Sequence, residues 1–295
     1  MNPEPALRAD GLTKAFGGEP VLDDVDLELA AGETTLLMGP NGEGKTVLLC
    51  CLAGGLRPTA GRALVHGRPA GEAADRVSLL LQDSVGLPAL TGPETARFYA
   101  DLHPASSGRW ARLLARFDMT DDGTILKHCS GGMRRKVELA VALDPAVPVY
   151  LLDEPTAALD LGALHVLHRV LRERREEGRT VVLTSHSPLD VQLADRLVFV
   201  DGGGVTHHGR PGSLLAALPP VVRLRGAIHE AATAIRPHLR AGHRYGSGPE
   251  LRGFLRADSS VDRVADDVSD LGVVVDRDDP TAVDLYEYLS AVDGR

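Results

Sequence analysis

The stretch Gly39-Pro40-Asn41-Gly42-Glu43-Gly44-Lys45-Thr46 has the spacing G-x-x-x-x-G-K-S/T, and residue types in that spacing suit a polyphosphate. Gly39, Gly42 and Gly44 let the backbone turn tightly, so that consecutive N–H groups converge on phosphate oxygens. Lys45 brings a cation to the β- and γ-phosphates, and the Thr46 hydroxyl is a hard oxygen ligand suited to Mg2+. The whole stretch, Pro40 and Asn41 included, is therefore a candidate nucleotide cradle. Glu43 is the discordant member, because a carboxylate inside such a loop opposes phosphate binding unless it points outward.

Other residues could complete this chemistry. The apolar run Val149–Leu152 ends in Asp153-Glu154. A buried parallel strand there delivers two carboxylates to the carboxyl edge of a sheet, where Asp153 can hold Mg2+ through water and Glu154 can orient or deprotonate an attacking water. Gln82 follows the apolar run Val77–Leu81, and His186 follows Thr180–Thr184, so both reach the same edge. Ser130 with Gly131 and Gly132 opens a helix whose bare N–H groups can receive an anion or simply be capped. Phe16 can stack on a base or fill a core; residue type alone favours the core.

Elements must hold these groups. Thr34–Met38 before the Gly-rich loop and Val47–Leu52 after it give a strand-loop-helix setting. Alternation at Val21, Val25, Leu27 and Leu29 predicts short antiparallel strands, broken at Gly17-Gly18 and at Ala31-Gly32. Ala63–His66 reads as a further strand. Helices are predicted over Pro93–Leu102 and over Arg109–Phe117, where Trp110, Leu113, Leu114 and Phe117 form a packing stripe. Met133, Val137, Ala140 and Val141 mark an amphipathic helix within Cys129–Leu143. A helix from Asp160 to about Glu177 carries Leu161, Leu164, Leu167 and Leu171 on one face. His207 and His208 are read as surface residues of a Gly-rich turn. Farther on, strands are expected at Val221–Leu224, Leu251–Leu255 and Gly272–Val275, and helices at Ala227–Ile235, Val261–Leu271 and Ala282–Leu289.

Composition narrows the class. The chain has 295 residues, 43% hydrophobic and 25% charged, which is globular and long enough for two domains. A net charge of −9 without a basic tract argues against a nucleic-acid partner. Cys50, Cys51 and Cys129 give neither a metal spacing nor a disulfide framework, and a reducing cytosol fits. Cys50 and Cys51 are expected to pack as small apolar groups. The start, MNPEPALRAD, has no signal-peptide pattern, and no run nears the ~18 apolar residues of a membrane helix. A soluble chain is expected, with any membrane role coming through a partner.

Taken in order, GPNGEGKT, Gln82, CSGGM, VYLLDEP, the Ala158-Leu159-Asp160 stretch and His186 resemble the motifs of the ATP-binding cassette ATPases over Ala6 to about His208. The resemblance implies an α/β P-loop fold with an antiparallel β subdomain and a helical insert of about 88–140, all within 1–208. Residues 209–295 are expected to form a separate small α+β domain. By resemblance Phe16 stacks on adenine, Gln82 touches Mg2+ together with Thr46 and Asp153, and Ser130, Gly131, Gly132 and Asp160 contact ATP. Lys45, Glu154 and His186 are then the catalytic group, with ATP and Mg2+ required. Cys129 and Met133 depart from the usual leucine and glutamine but spare the serine and glycines. The family further implies a second ATPase subunit, a homodimer, and an integral membrane permease on whose cytoplasmic side the chain sits. The ending DPTAVDLYEYLS is similar to that of ATPases driving drug, polysaccharide or lipid export; an importer ATPase or a non-transport cassette ATPase is the alternative. Val85, Leu87, Leu90 and Phe98, in the segment Asp83–Ala100, either dock a permease helix or cover the insert's core.

Overall fold

The computed structural model describes residues 4–82, 87–119, 123–185, 187–226, 228–246 and 250–291. Two compact units divide the chain, Met1–His208 and Gly209–Arg295.

The first unit opens with β1 (Leu7–Phe16), β2 (Glu19–Leu29) and β3 (Thr34–Met38), then α1 (Lys45–Leu52), β4 (Ala60–Val65), β5 (Arg68–Pro69) and β6 (Val77–Leu80). It continues with α2 (Gly92–Leu102), α3 (Trp110–Arg116), α4 (Gly131–Ala142), β7 (Val149–Leu152), α5 (Leu161–Glu176), β8 (Thr180–Thr184), β9 (Arg196–Asp201) and β10 (Gly204–Gly209). An antiparallel sheet has the order β2-β1-β4-β5, and a six-stranded sheet the order β10-β9-β3-β8-β7-β6. In the latter β3 pairs in parallel with β8 and β9, and β7 with β6 and β8. Strands β3, β7 and β8 are buried at every position, as expected of parallel strands covered on both faces. Leu48, Leu49, Cys51 and Leu52 of α1 share one core with Leu7, Leu12 and Leu22 of the antiparallel sheet and Leu37, Leu151 and Val198 of the parallel one. Each such leucine contributes about 1.5–3 kcal/mol by burial, so the helix that follows the Gly-rich loop is fixed between two sheets.

Thr91 caps α2 reciprocally: its N–H donates to Glu94 Oε2 and its Oγ1 accepts from the Glu94 N–H. Asp144 fixes the start of α3 by accepting from the Trp110 N–H at 2.9 Å and from Ser106 Oγ at 2.6 Å. Helices α2, α3 and α4 pack on one another, and Leu113, Leu114 and Phe117 are buried as packing residues.

Two expectations are corrected. Leu161 is 64% exposed, and the inner face of α5 is Ala163, Leu167, Val170 and Leu171, because the helix starts at Leu161, directly after its Asp160 cap, with that first residue turned outward. His207 and His208 belong to β10 rather than to a turn. The strands at 196–201 and 239–245 have no counterpart among the sequence expectations.

The second unit comprises α6 (Pro211–Ala216), β11 (Val221–Gly226), α7 (Ile228–Ala234), β12 (Leu239–Tyr245), β13 (Glu250–Leu255), α8 (Val261–Asp267), β14 (Val273–Asp278) and α9 (Ala282–Ala291). From β11 the chain runs β-α-β-β-α-β, and the sheet order β12-β13-β11-β14 with antiparallel pairings makes it ferredoxin-like. Val222, Leu224 and Leu251 pack with Ala231, Ile235, Val264 and Val268; Val221, Tyr245 and Phe254 pack with Leu218 and Tyr288. The fully buried Asp284 takes Arg252 Nε and Nη2, each at 2.9 Å, and the Tyr245 hydroxyl. Burial opposes its ionisation, but Arg252, Thr281 and Tyr245 outweigh it and hold the carboxyl below its ordinary range.

Cys50 and Cys51 are buried on α1, and burial pushes the Cys51 thiol up to about 11. Since the thiolate is the nucleophile, iodoacetamide at pH 8 is expected to label both cysteines in urea and neither in the native protein within minutes, as read by peptide mass spectrometry. Rapid native labelling would contradict their burial.

Candidate active site

The Gly-rich loop lies between β3 and α1, and two of its glycines are required by close approach. Gly39 has φ +139°, and a Cβ there would sit 2.0 Å from the Val200 carbonyl oxygen; Gly44 has φ +91°, and a Cβ would sit 2.7 Å from Leu22. No other residue fits either position without moving backbone or core. Lys45 is buried, and its Nζ donates to the carbonyl oxygens of Gly39 at 2.8 Å and Pro40 at 2.7 Å. Burial pushes its pKa down, while Glu154, Asp153 and Glu43 push the other way. Glu43 meets the condition set by the sequence: its carboxylate turns out of the loop and accepts from the Gly202 N–H at 2.7 Å. Asn41 and Gly42 lie exposed at the loop's crest.

Asp153, only 2% exposed, closes the floor. It accepts from Thr46 Oγ1 at 2.7 Å and from Thr184 Oγ1 at 2.6 Å. Thr184 Oγ1 in turn accepts from the Glu154 N–H at 2.8 Å. Glu154 has φ +46°, a left-handed conformation that costs a non-glycine residue about 1–3 kcal/mol and persists only where its surroundings impose it. Gln82, exposed beyond the end of β6, reaches Glu154 Oε2 with its Nε2 at 3.5 Å. Lys45, Thr46, Gln82, Asp153 and Glu154 are thus brought together at the carboxyl ends of β3, β6 and β7. His186 lies outside the described residues.

A second group gathers at the start of α4. Ser130 caps the helix, its Oγ accepting from the Met133 N–H at 3.1 Å. Gly132 lies so near the following loop that a Cβ would be 2.7 Å from the Ala158 carbonyl oxygen. Gly131 is exposed beside it. Asp160 caps α5 through the Ala163 N–H at 2.7 Å and pairs with Lys136 at 3.0 Å. Gly132, through Ala158, and Asp160, through Lys136, thus tie the first turns of α4 to the 153–160 loop. Phe16, at the end of β1, is 49% exposed with Lys14 Nζ 5.0 Å from its ring centroid. The ring is at the surface, contrary to the core placement that residue type alone favours.

Three structural supports carry no local sequence signal. Thr184 links the two carboxylate residues as above. Asp190, fully buried, accepts from Thr156 Oγ1 at 2.9 Å and Ser185 Oγ at 2.5 Å, and lies 2.9 Å from His168 Nε2. It holds the residue before position 186 to the loop after Glu154. Arg135 donates to main-chain oxygens at the ends of β6 and β7.

Among the described residues no group of three or more His, Cys, Asp or Glu side chains is placed to hold a metal. The hydroxyl of Thr46 beside the carboxylate of Asp153 fits Mg2+, which takes few protein oxygens and fills its remaining positions with water and substrate phosphate.

The family model described as ABC transporter matches residues 22–157. The hemin import ATP-binding protein HmuV of Streptomyces coelicolor is 36% identical over 248 residues, covering 79% of this chain and 86% of that protein. This chain belongs to the ABC transporter ATPases. The daunorubicin resistance ATP-binding protein DrrA3 of Streptomyces coeruleorubidus is also 36% identical, over 247 residues, covering 79% of this chain and 78% of its own. A solved structure of an ATP binding subunit of an ABC transporter superposes with TM-score 0.66 at 25% identity, over 72% of this chain and 92% of that one. The ABC ATPase described here is accordingly an ATP hydrolase with the cassette's α/β P-loop fold.

Proposed function

We propose that this ABC ATPase hydrolyses ATP held by Gly39–Thr46 and powers a separate membrane permease, for export. The observation that carries the reading is the convergence of Lys45, Thr46, Asp153, Glu154 and Gln82 on one sheet edge. Lys45 leaves the Gly39 and Pro40 carbonyls to neutralise charge on the β- and γ-phosphates, and α1 turns its positive end toward them. Glu154 accepts the proton of the attacking water, with Gln82 and His186 beside the γ-phosphate. Thr46, Asp153 and Gln82 would hold Mg2+, which supplies charge neutralisation across the phosphate oxygens when bound. Phe16 offers its exposed ring to adenine. Ser130, Gly131, Gly132 and Asp160 are the contacts that a second copy's ATP would meet in a head-to-tail homodimer.

Residues 1–208 form the ATPase domain in this reading, with a helical subdomain of about 88–140, and 209–295 an accessory domain. Among the described residues no helix is long and apolar enough to cross a membrane. In this reading the membrane partner is an integral permease, with the ATPase on its cytoplasmic face. The ending DPTAVDLYEYLS and the likeness to DrrA3 support export; equal identity to HmuV supports import as the second reading. Reconstitution with the permease encoded beside it, in vesicles, separates them by the direction of ATP-driven substrate movement.

Coupling runs through the segment after Gln82. Leu87 and Leu90 are half-buried and Phe98 is 45% exposed, while Val85 lies outside the described residues. Replacing Leu87 and Leu90 with aspartate is expected to leave basal ATPase activity intact and to abolish copurification with that permease. Copurification at wild-type yield would move the contact elsewhere.

A further inference from the structure

Helix α4 grips the loop that carries Glu154 along one face. Gly132 approaches Ala158, Lys136 pairs with Asp160, and between them the guanidinium of Arg135 enters the turn after β7. Arg135 is 5% exposed. Its Nη2 donates to the carbonyl oxygens of Asp153 at 2.5 Å and Glu154 at 2.8 Å; its Nη1 donates to the Leu81 carbonyl at 3.1 Å and to Glu138 Oε2 at 2.9 Å. The planar fork thereby joins the ends of β6 and β7, the elements that lead to Gln82 and Glu154. Lysine, a point donor on a flexible stem, cannot span both.

The grip falls on a residue that needs it. Glu154 holds its left-handed backbone between the Thr184 hydroxyl, which accepts from its N–H, and the Arg135 guanidinium, which donates to its carbonyl. Without the second clamp the backbone relaxes toward ordinary φ and turns the carboxylate away. We infer that Arg135 is a positioning residue for hydrolysis: it sets the direction of the Glu154 carboxylate and ties that direction to α4, whose Ser130 end faces the partner's nucleotide. The inference rests on the proposed role of Glu154 and adds to it a residue that acts through the Glu154 main chain.

The test is a double-mutant cycle on the full chain. Arg135→Lys is expected to lower kcat by about 30- to 100-fold, as misplacement of a catalytic group does. Its Kd for trinitrophenyl-ATP should stay within about threefold of wild type. In the Glu154→Gln background the same substitution should lower the residual single-turnover rate by less than about twofold, because a group acting through a carboxylate has nothing to act on once it is gone. Wild-type kcat in Arg135→Lys overturns the inference, as does an equal loss in both backgrounds. Should Arg135→Lys fail to fold, Glu138→Gln loosens the same guanidinium; a loss of about fivefold in wild type that vanishes in Glu154→Gln supports the role, and equal losses overturn it. A wild-type chain without ATPase activity would remove the functional reading itself, whereas a normal wild-type rate beside a normal Arg135→Lys rate removes only this residue.

Discussion

Replacing Lys45 with alanine is expected to abolish ATP hydrolysis and to weaken ATP binding at least about tenfold, roughly 1.4 kcal/mol. Lys45 is the only side-chain cation in the Gly39–Thr46 loop, and it sits where its ammonium already bonds two loop carbonyls. Phosphoryl transfer depends on charge neutralisation in a partly desolvated site, where removing even one preorganised donor costs about 10²–10³ in rate. Alanine leaves the Gly39 and Pro40 carbonyls facing the phosphates with no cation between them, so binding falls with rate. Phosphate release and calorimetric titration with ATP measure the two effects, and a melting temperature near wild type separates them from unfolding. Full ATPase activity in Lys45→Ala would take the nucleotide from this loop.

Glu154→Gln is expected to lower turnover about 10²-fold or more while ATP still binds. The amide keeps the size of the side chain and tolerates the φ of +46° as well as glutamate does, so Thr184 and Arg135 continue to hold the main chain. What is lost is the carboxylate charge beside the attacking water. Single-turnover phosphate release reads the chemical step, and equilibrium binding of a fluorescent ATP analogue reads the site's integrity. An unchanged rate would transfer the base to another residue; a loss of binding as large as the loss of rate would make Glu154 a structural member of the pocket.

Much of this ABC ATPase is legible in its amino-acid sequence, because the features concerned are local. The Gly-rich loop is a contiguous stretch whose glycines, lysine and threonine have a spacing that suits one polyphosphate, and the strands delivering Asp153-Glu154 and Gln82 are short apolar runs ending in polar residues. Helices α2, α3 and α4 follow from apolar periodicity, and α2 and α4 also carry local caps at Thr91 and Ser130, which are interactions over a few positions. The sequence also indicates a small α+β tail at 209–295. Tertiary structure decided what depends on residues far apart in the chain. Phe16 is open because β1 ends at the surface; residue type cannot tell an exposed aromatic from a core one. Glu43 turns outward because the Gly202 N–H, beyond the end of β9, donates to its carboxylate. Strand β12 stays hidden because it is an edge strand in which only Leu239 and Tyr245 are buried, so it shows little alternation to read. Arg135, Thr184 and Asp190 look like an ordinary helix-surface arginine, a strand threonine and a loop aspartate until the sheet edge closes around them. Their importance comes from burial with specific partners, and burial at that edge is set by how β6, β7 and β8 align and not by any residue's neighbours in sequence.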